Sequence, residues 1–306
     1  MMYDFPPYRP PSEATSYLIR VVRGCNWNRC AFCGMYKEIK FQQRPKDEIL
    51  KDIDNIPKFF PKSKSAFIGD SNPLIHRDIV EIVDYLKRRY PELERITAYA
   101  RIKTIANMPE ERLKALRDAG LTRLHMGLES GDDEVLRIVN KGITSKDAVK
   151  ACLKARKYFE ITYYVITGLG GVERSNQHAE NTAKVINEAK PTFVRVRNLT
   201  VIPGTPMEKL IGKVITPLNA LQQLKELRSL IENIKVKTYF TCDHVSNYLF
   251  TRNGVIFFGV HGYLPDEKDY MLEQIDYTID TVKTLEKCGE KVMTSNDMYK
   301  LGVITL

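Results

Sequence analysis

Three cysteines fall within nine residues, at Cys25, Cys30 and Cys33. A short loop can turn each sulfur toward one centre. Thiolates are soft ligands, so the spacing points to zinc or an iron–sulfur cluster. The alternatives are a disulfide with a spare thiol, which needs an oxidising compartment, or three unrelated cysteines. Three thiolates leave one iron of a four-iron cluster without a protein ligand. An open position is what a catalytic metal site needs and a structural one avoids. Cys152, Cys242 and Cys288 have no short spacing and read as packed or free cysteines rather than ligands of a second cluster.

The elements around these thiols alternate in type. The loop follows an apolar run, Tyr17-Leu-Ile-Arg-Val-Val22, that reads as a strand. Further strands are expected at 65–68, 96–99, 123–126, 162–166 and 193–197. Helices are expected between them, as at 45–55 and 110–119. Ile79, Ile82, Val83 and Leu86 make the i, i+3, i+4, i+7 stripe of a half-buried helix. Thr144 with Asp147 reads as a capping box. Six strands alternating with helices predict an α/β chain, a partial (β/α)6 TIM-type barrel with parallel strands. Such sheets place their sites at the strands' carboxyl ends. The polar and glycine-rich segments fall there: the cysteine loop, Gly69-Asp-Ser-Asn72, Tyr99-Ala-Arg101, Gly127-Leu-Glu-Ser-Gly131, Gly168-Leu-Gly-Gly171 and Ile202-Pro-Gly-Thr205. The prolines of residues 1–14 predict an extended arm. The barrel is expected over 15–236. The changed pattern of 237–306 predicts a C-terminal α/β cap packed on it.

The chain has 306 residues and a hydrophobic fraction of 43%, ordinary for a soluble globular protein. No apolar run reaches membrane-spanning length, so no membrane partner is expected. The N-terminus lacks a basic region followed by an apolar core, so no signal peptide is read there, and the expected location is cytoplasmic. The net charge is +9. Groups such as Lys87-Arg-Arg89 and Lys154-Ala-Arg-Lys157 read as solvated helix faces, with nucleic-acid contact the other reading. An anionic substrate is compatible with the excess charge.

The segment 23–36, with Phe32 directly before the last cysteine, resembles the cluster loop of the radical S-adenosylmethionine superfamily. It departs in having four residues, not the common three, between the first two cysteines. The resemblance covers about residues 17–206. It lies toward the broad group of oxygen-independent coproporphyrinogen oxidase, methylthiotransferases and elongator-type enzymes, with no one reaction identified. It implies a [4Fe–4S] cluster on Cys25, Cys30 and Cys33, and S-adenosylmethionine on the open iron. It implies reductive cleavage to a 5′-deoxyadenosyl radical that abstracts hydrogen from a small or macromolecular substrate. An electron donor such as flavodoxin or ferredoxin is implied as partner.

Residue roles follow from the same resemblance. Gly69, Asp70 and Ser71 stand where the family carries a glycine-glycine-glutamate motif, which would accept from the cofactor's amino group. Glu129 and Ser130 suit ribose hydroxyls or the methionyl end, and Arg156 the methionyl carboxylate. Gly168 and Gly170 would let the adenosine approach the backbone. Val201 and Ile202 would pack on the adenine. His244, in the polar run Asp243-His-Val-Ser-Asn247, is a candidate to hold substrate or move a proton; a turn with local hydrogen bonding is the ordinary alternative. Two other classes stay open. One is a cluster-bearing haem chaperone or carrier. The other is a zinc-binding nucleic-acid module, which lacks a histidine near the loop to serve as fourth ligand.

Overall fold

The computed structural model describes residues 8–56 and 62–305. The chain divides into two compact units: Met1–Asn28, Met35–Gly127 and Lys150–Thr162 form the first, and Arg29–Gly34, Leu128–Val149 and Tyr163–Leu306 the second.

The first unit holds β1 (Tyr17–Arg20), β2 (Val22–Arg23), β3 (Gln42–Gln43), α1 (Lys46–Asn55), β4 (Ser65–Gly69), α2 (Ile79–Arg89), β5 (Arg95–Ala100), α3 (Ile102–Asn107), α4 (Glu110–Asp118) and most of β6 (Arg123–Glu129). Strands β1, β4, β5 and β6 pair in that order and in parallel. Parallel neighbours need crossovers, and the helices supply them. Their apolar stripes explain why: α2 buries Ile79, Ile82, Val83 and Leu86, and Lys87, Arg88 and Arg89 in its last turn complement the helix dipole. Antiparallel β2 and β3 bracket the cysteine loop. The predicted proline arm falls partly on residues 1–7, outside the described residues. Beyond it, Pro11–Glu13 forms a 3-10 helix, not extended chain. Buried Glu13 anchors that helix, accepting from Ser16 Oγ at 2.7 Å and lying 3.2 Å from His125 Nε2. Burial pushes its carboxyl up, but these contacts and the charge of Arg95 outweigh burial and hold it below the usual range.

The second unit holds α5 (Asp133–Ile138), the start of α6 (Ser145–Ala155), most of β7 (Glu160–Thr167), α7 (Gly171–Ala189), β8 (Phe193–Asn198), α8 (Met207–Leu210), α9 (Ala220–Asn233), β9 (Thr238–Thr241), β10 (Leu249–Thr251), β11 (Gly254–Phe257), β12 (His261–Leu264), α10 (Lys268–Lys287), β13 (Met293–Thr294) and α11 (Ser295–Lys300). The expected cap at α6 is present: Thr144 N donates to Asp147 Oδ2 at 3.0 Å, and Asp147 N to Thr144 Oγ1 at 3.2 Å. A second capping box, Asn219 with Gln222, starts α9.

The main sheet is mostly parallel and has eight strands in the order β1-β4-β5-β6-β7-β8-β9-β12. All six predicted strands belong to it. The sheet also continues past residue 237. Strand β9 pairs in parallel with β8, and β12 pairs antiparallel with β9. The Thr-Tyr-Phe-Thr run of β9 is β-branched and aromatic, a strand composition that its polarity disguises. The boundary expected at 237 therefore falls inside the sheet. Beyond β9 lie a small antiparallel sheet, β11-β10-β13, and helices α10 and α11, the α/β elements expected of a cap. No helix among the described residues is long and apolar enough to cross a membrane.

Candidate active site

In the first unit, the strand ends grip the beginning of the cysteine loop. Gly24 has φ +76°, a left-handed turn that favours glycine, and an added Cβ would sit 3.1 Å from Ile39. The Gly24 amide donates to Asp70 Oδ2 at 3.2 Å, and its carbonyl accepts from Ser71 Oγ at 2.7 Å. Asp70 Oδ1 takes Arg20 Nε at 3.3 Å, with both side chains buried. Asn72 Nδ2 reaches Asn26 Oδ1, and the Arg101 guanidinium lies 5.1 Å from the Trp27 ring. Beyond Cys25, Asn28 donates to the Tyr36 carbonyl at 2.6 Å, and its own carbonyl accepts from Lys37. Asn28 N also points at Cys25 Sγ, 3.4 Å away. Gly69, Asp70 and Ser71 thus hold the loop. Each Asp70 oxygen accepts from a protein donor, in the segment expected to face the cofactor's amino group.

In the second unit, residues 30–33 form a turn, Cys33 N to Cys30 O at 3.4 Å, built around Ala31. Ala31 is buried among Val135, Val139, Leu169, Leu199, Met207 and Ile215, and its amide and carbonyl bond to Val139 O and Met207 N. Phe32, Ile166 and Val201 pack on the same cluster. Gly34 lies against Ile202, 3.1 Å from where a Cβ would stand. Val201 and Ile202 are half-buried against the cysteine turn, and so present apolar surface beside it.

Glu129 ends β6 with φ +65°, a conformation that costs a non-glycine residue about 1–3 kcal/mol. Its neighbours fix it there. Gly131 N donates to Thr182 Oγ1 at 2.8 Å, and an added Cβ on Gly131 would meet Asn181 O and Thr182 Cα, so α7 sits directly on this turn. Glu129 Oε1 takes Lys141 Nζ at 2.7 Å, and the same ammonium lies 5.7 Å from the Phe32 ring. Lys141 was not legible as a site residue. It follows a helix that the sequence pattern leaves loosely bounded, and only the fold returns it to the strand end. Asp132 caps α5 through Glu134 N and Val135 N and is held by Arg174 at 2.8 Å and Asn181 at 2.9 Å. Burial raises the Asp132 carboxyl's pKa, but these donors outweigh burial and lower it overall.

Other expected residues sit elsewhere. Ser130 is fully buried and pairs with His178 Nδ1 at 2.7 Å; His178 in turn reaches the Ile166 carbonyl. Gly168, at φ +76°, and Gly170 make the turn into α7, and the chain itself fills their flanks. An added Cβ would lie 3.0 Å from Asn198 Oδ1 or 3.1 Å from Val135. Arg156 is exposed just after α6 and four residues before β7 begins. That is the amino end of the strand, the rim opposite the strands' carboxyl ends, and its placement does not support a methionyl-carboxylate role. His244 begins a 3-10 turn, its Nδ1 accepting from Ser246 N at 3.1 Å. Burial, then the charges of Arg197 and Arg195, push its pKa down to about 4 against a weaker pull from Asp243, so the imidazole is neutral near pH 7. A neutral ring capping a turn matches the ordinary alternative.

The donor chemistry fits an iron–sulfur group. Cys25, Cys30 and Cys33 are half-buried thiols on backbone that is fastened at both ends. Cys152 and Cys242 are buried, and burial pushes the Cys242 thiol up to about 12. Among the described residues, no three His, Cys, Asp or Glu side chains stand grouped as a ready-made metal site. The structural sign is the donor set and its anchored loop, not a preformed cage.

The model of the Radical SAM superfamily matches residues 19–186. The chain is 25% identical over 235 residues to tRNA-2-methylthio-N(6)-dimethylallyladenosine synthase of Syntrophus aciditrophicus, covering 73% of this chain and 49% of that one. It is 24% identical over 212 residues to the heme chaperone HemW of Bacillus subtilis, covering 66% and 55%. The chain spans about half the length of these curated relatives. Among solved structures, coproporphyrinogen III oxidase (HemN) from Escherichia coli, a radical SAM enzyme, superposes with a TM-score of 0.56 at 19% identity. That match covers 73% of this chain and 53% of that one, a likeness of fold.

Proposed function

This chain belongs to the radical SAM superfamily, and on that premise we propose that it holds a [4Fe–4S] cluster on Cys25, Cys30 and Cys33 and cleaves S-adenosylmethionine to act on a separate substrate. When bound, the cluster and S-adenosylmethionine supply a 5′-deoxyadenosyl radical able to abstract hydrogen. The protein's part is to hold, orient and shield. The observation that carries the reading is the second unit's cysteine turn, where Ala31 and Phe32 pack in one apolar cluster and Lys141 lies both 2.7 Å from Glu129 and 5.7 Å from the Phe32 ring.

Glu129 and Lys141 offer an acceptor and a donor 2.7 Å apart. An amino-acid end carries the complementary pair, an ammonium and a carboxylate. Lys141 suits the methionyl carboxylate and Glu129 the amino group or a ribose hydroxyl. Val201 and Ile202 give a flat base an apolar edge to lie against. Asp132 and Arg174 tie the start of α5 to α7 beside that pair. Anaerobic reconstitution tests the reading. Wild-type protein is expected to hold about four iron and four sulfide per chain and, once reduced by dithionite, to release 5′-deoxyadenosine. The Cys25→Ala, Cys30→Ala, Cys33→Ala triple variant is expected to hold neither. A full cluster in that variant overturns the ligand assignment. Cofactor binding without any cleavage moves the chain toward a carrier.

A further inference from the structure

Strands β8, β9 and β12 carry a second chemical pattern, entirely within the second unit. Their registers align Phe193 with Tyr239 and Tyr239 with Tyr263, and two residues on they align Arg195 with Thr241 and Thr241 with His261. Side chains two apart share a face, so these are adjacent rows on one side of the sheet. Arg197 extends the same face toward the carboxyl end of β8. The opposite face, Val194, Val196 and Phe240, is buried.

The first row is aromatic. Tyr239 and Tyr263 meet at a tilt of 57° with ring centroids 4.7 Å apart, Phe193 meets Tyr239 edge-on at 6.5 Å, and Tyr263 remains 62% exposed. The rows above are cationic and polar. Arg195 is met only loosely, at 3.6 Å, by Asp243, itself half in solvent. Arg197 has no side-chain partner among the described contacts, and none of its nitrogens is a buried orphan. Thr241 is 8% exposed, yet its Oγ1 finds no hydrogen-bond partner. Two guanidiniums side by side on a strand repel each other. Set two residues apart on one face, they can share one anion between them.

We propose that this face binds a small organic anion, its carboxylate, sulfonate or phosphate held by Arg195 and Arg197 and its flat apolar body lying on Tyr239 and Tyr263. This names the substrate class for the reaction above and rests on that reading for its role, though not for its binding. The net charge of +9 favours approach of such a ligand.

The test is fluorescence titration of the full-length protein with 1-anilinonaphthalene-8-sulfonate, a flat aromatic anion, against the uncharged N-phenyl-1-naphthylamine. The expected result is saturable binding of one sulfonate per chain, competed by inorganic phosphate and much weaker for the uncharged probe. Arg195→Gln and Arg197→Gln should each weaken it about tenfold or more. Arg156→Gln removes the same charge from another surface and should leave it unchanged. Failure of the wild type to saturate, equal affinity for the uncharged probe, or equal weakening by Arg156→Gln overturns the proposal. If either strand variant fails to fold, phosphate competition in the wild type decides. The titration needs neither cluster nor S-adenosylmethionine, so its failure and a failure of 5′-deoxyadenosine release are separately visible.

Discussion

Asp70 in the first unit and Glu129 in the second end neighbouring kinds of segment: a parallel strand, a glycine nearby, a carboxylate, then a serine. Their surroundings separate them. Asp70 is 2% exposed, and both oxygens accept from its own unit, from Arg20 and from the Gly24 amide. Glu129 is 8% exposed, accepts only from Lys141 among the described contacts, and is held at a positive φ. A carboxylate whose oxygens are both occupied by fixed donors builds the loop. One paired to a single flexible ammonium can exchange that partner for a ligand. The difference lies in what the fold brings back to the strand end, a buried arginine in one unit and a lysine beside an aromatic ring in the other.

The largest effect should come from Asp70→Ala. It takes a buried carboxylate away from Arg20 and from the Gly24 amide, and breaking one side of a buried pair costs about 3–5 kcal/mol. Thermal unfolding should fall by about 6 °C or more, with iron content lost only as the loop loosens. A variant as stable as wild type that no longer binds S-adenosylmethionine would reverse the contrast and return Asp70 to the cofactor.

The intermediate effect belongs to Glu129→Gln and Lys141→Met. Charge-assisted contacts contribute about 1.5–3 kcal/mol, so S-adenosylmethionine affinity should drop about tenfold or more in each, with iron content kept. Lys141→Arg should recover part of it. Equilibrium binding to the reconstituted protein is the measurement. Unchanged affinity in both variants would make the pair as structural as Asp70.

Much of this was legible in the chain. The three thiols, all six predicted strands and the α6 cap follow from short-range pattern, which spacing and periodicity report directly. What sequence did not report depends on where the chain returns. Lys141 reaches Glu129 only after a helix and a turn. Ser130 reads as a contact for ribose or the methionyl end, and it pairs with buried His178, which lies 48 residues away. Gly168 and Gly170 read as an open cradle because a glycine leaves no trace of what fills its flank. Arg156 carries the right charge at the wrong end of a strand, a distinction that composition cannot make. Strand β9 was hidden because its outward residues are polar.

The smallest effect sharpens the contrast at the second unit's far strands, where cations stand on the sheet face instead of pairing inward. His244 reports on them. Its pKa of about 4 lies below the ordinary 6.5, first through burial, then through Arg197 and Arg195, with Asp243 opposing. Above pH 6.5 the ring is neutral whether the chain is folded or not, and it adds no pH dependence. As pH falls from 6.5 toward 4, the unfolded chain takes up a proton that the folded chain resists, so stability drops across that window and levels below it. Allowing for the ring's partial exposure, the loss is about 1–2 kcal/mol. His244→Asn, whose amide oxygen can still accept from Ser246 N, should flatten that slope in thermal unfolding measured against pH. Arg197→Gln should raise the His244 pKa, read from the imidazole proton resonance. An unchanged pKa there would mean that the guanidinium points away from His244, and the second unit's strand ends would then be no more cationic than the first's.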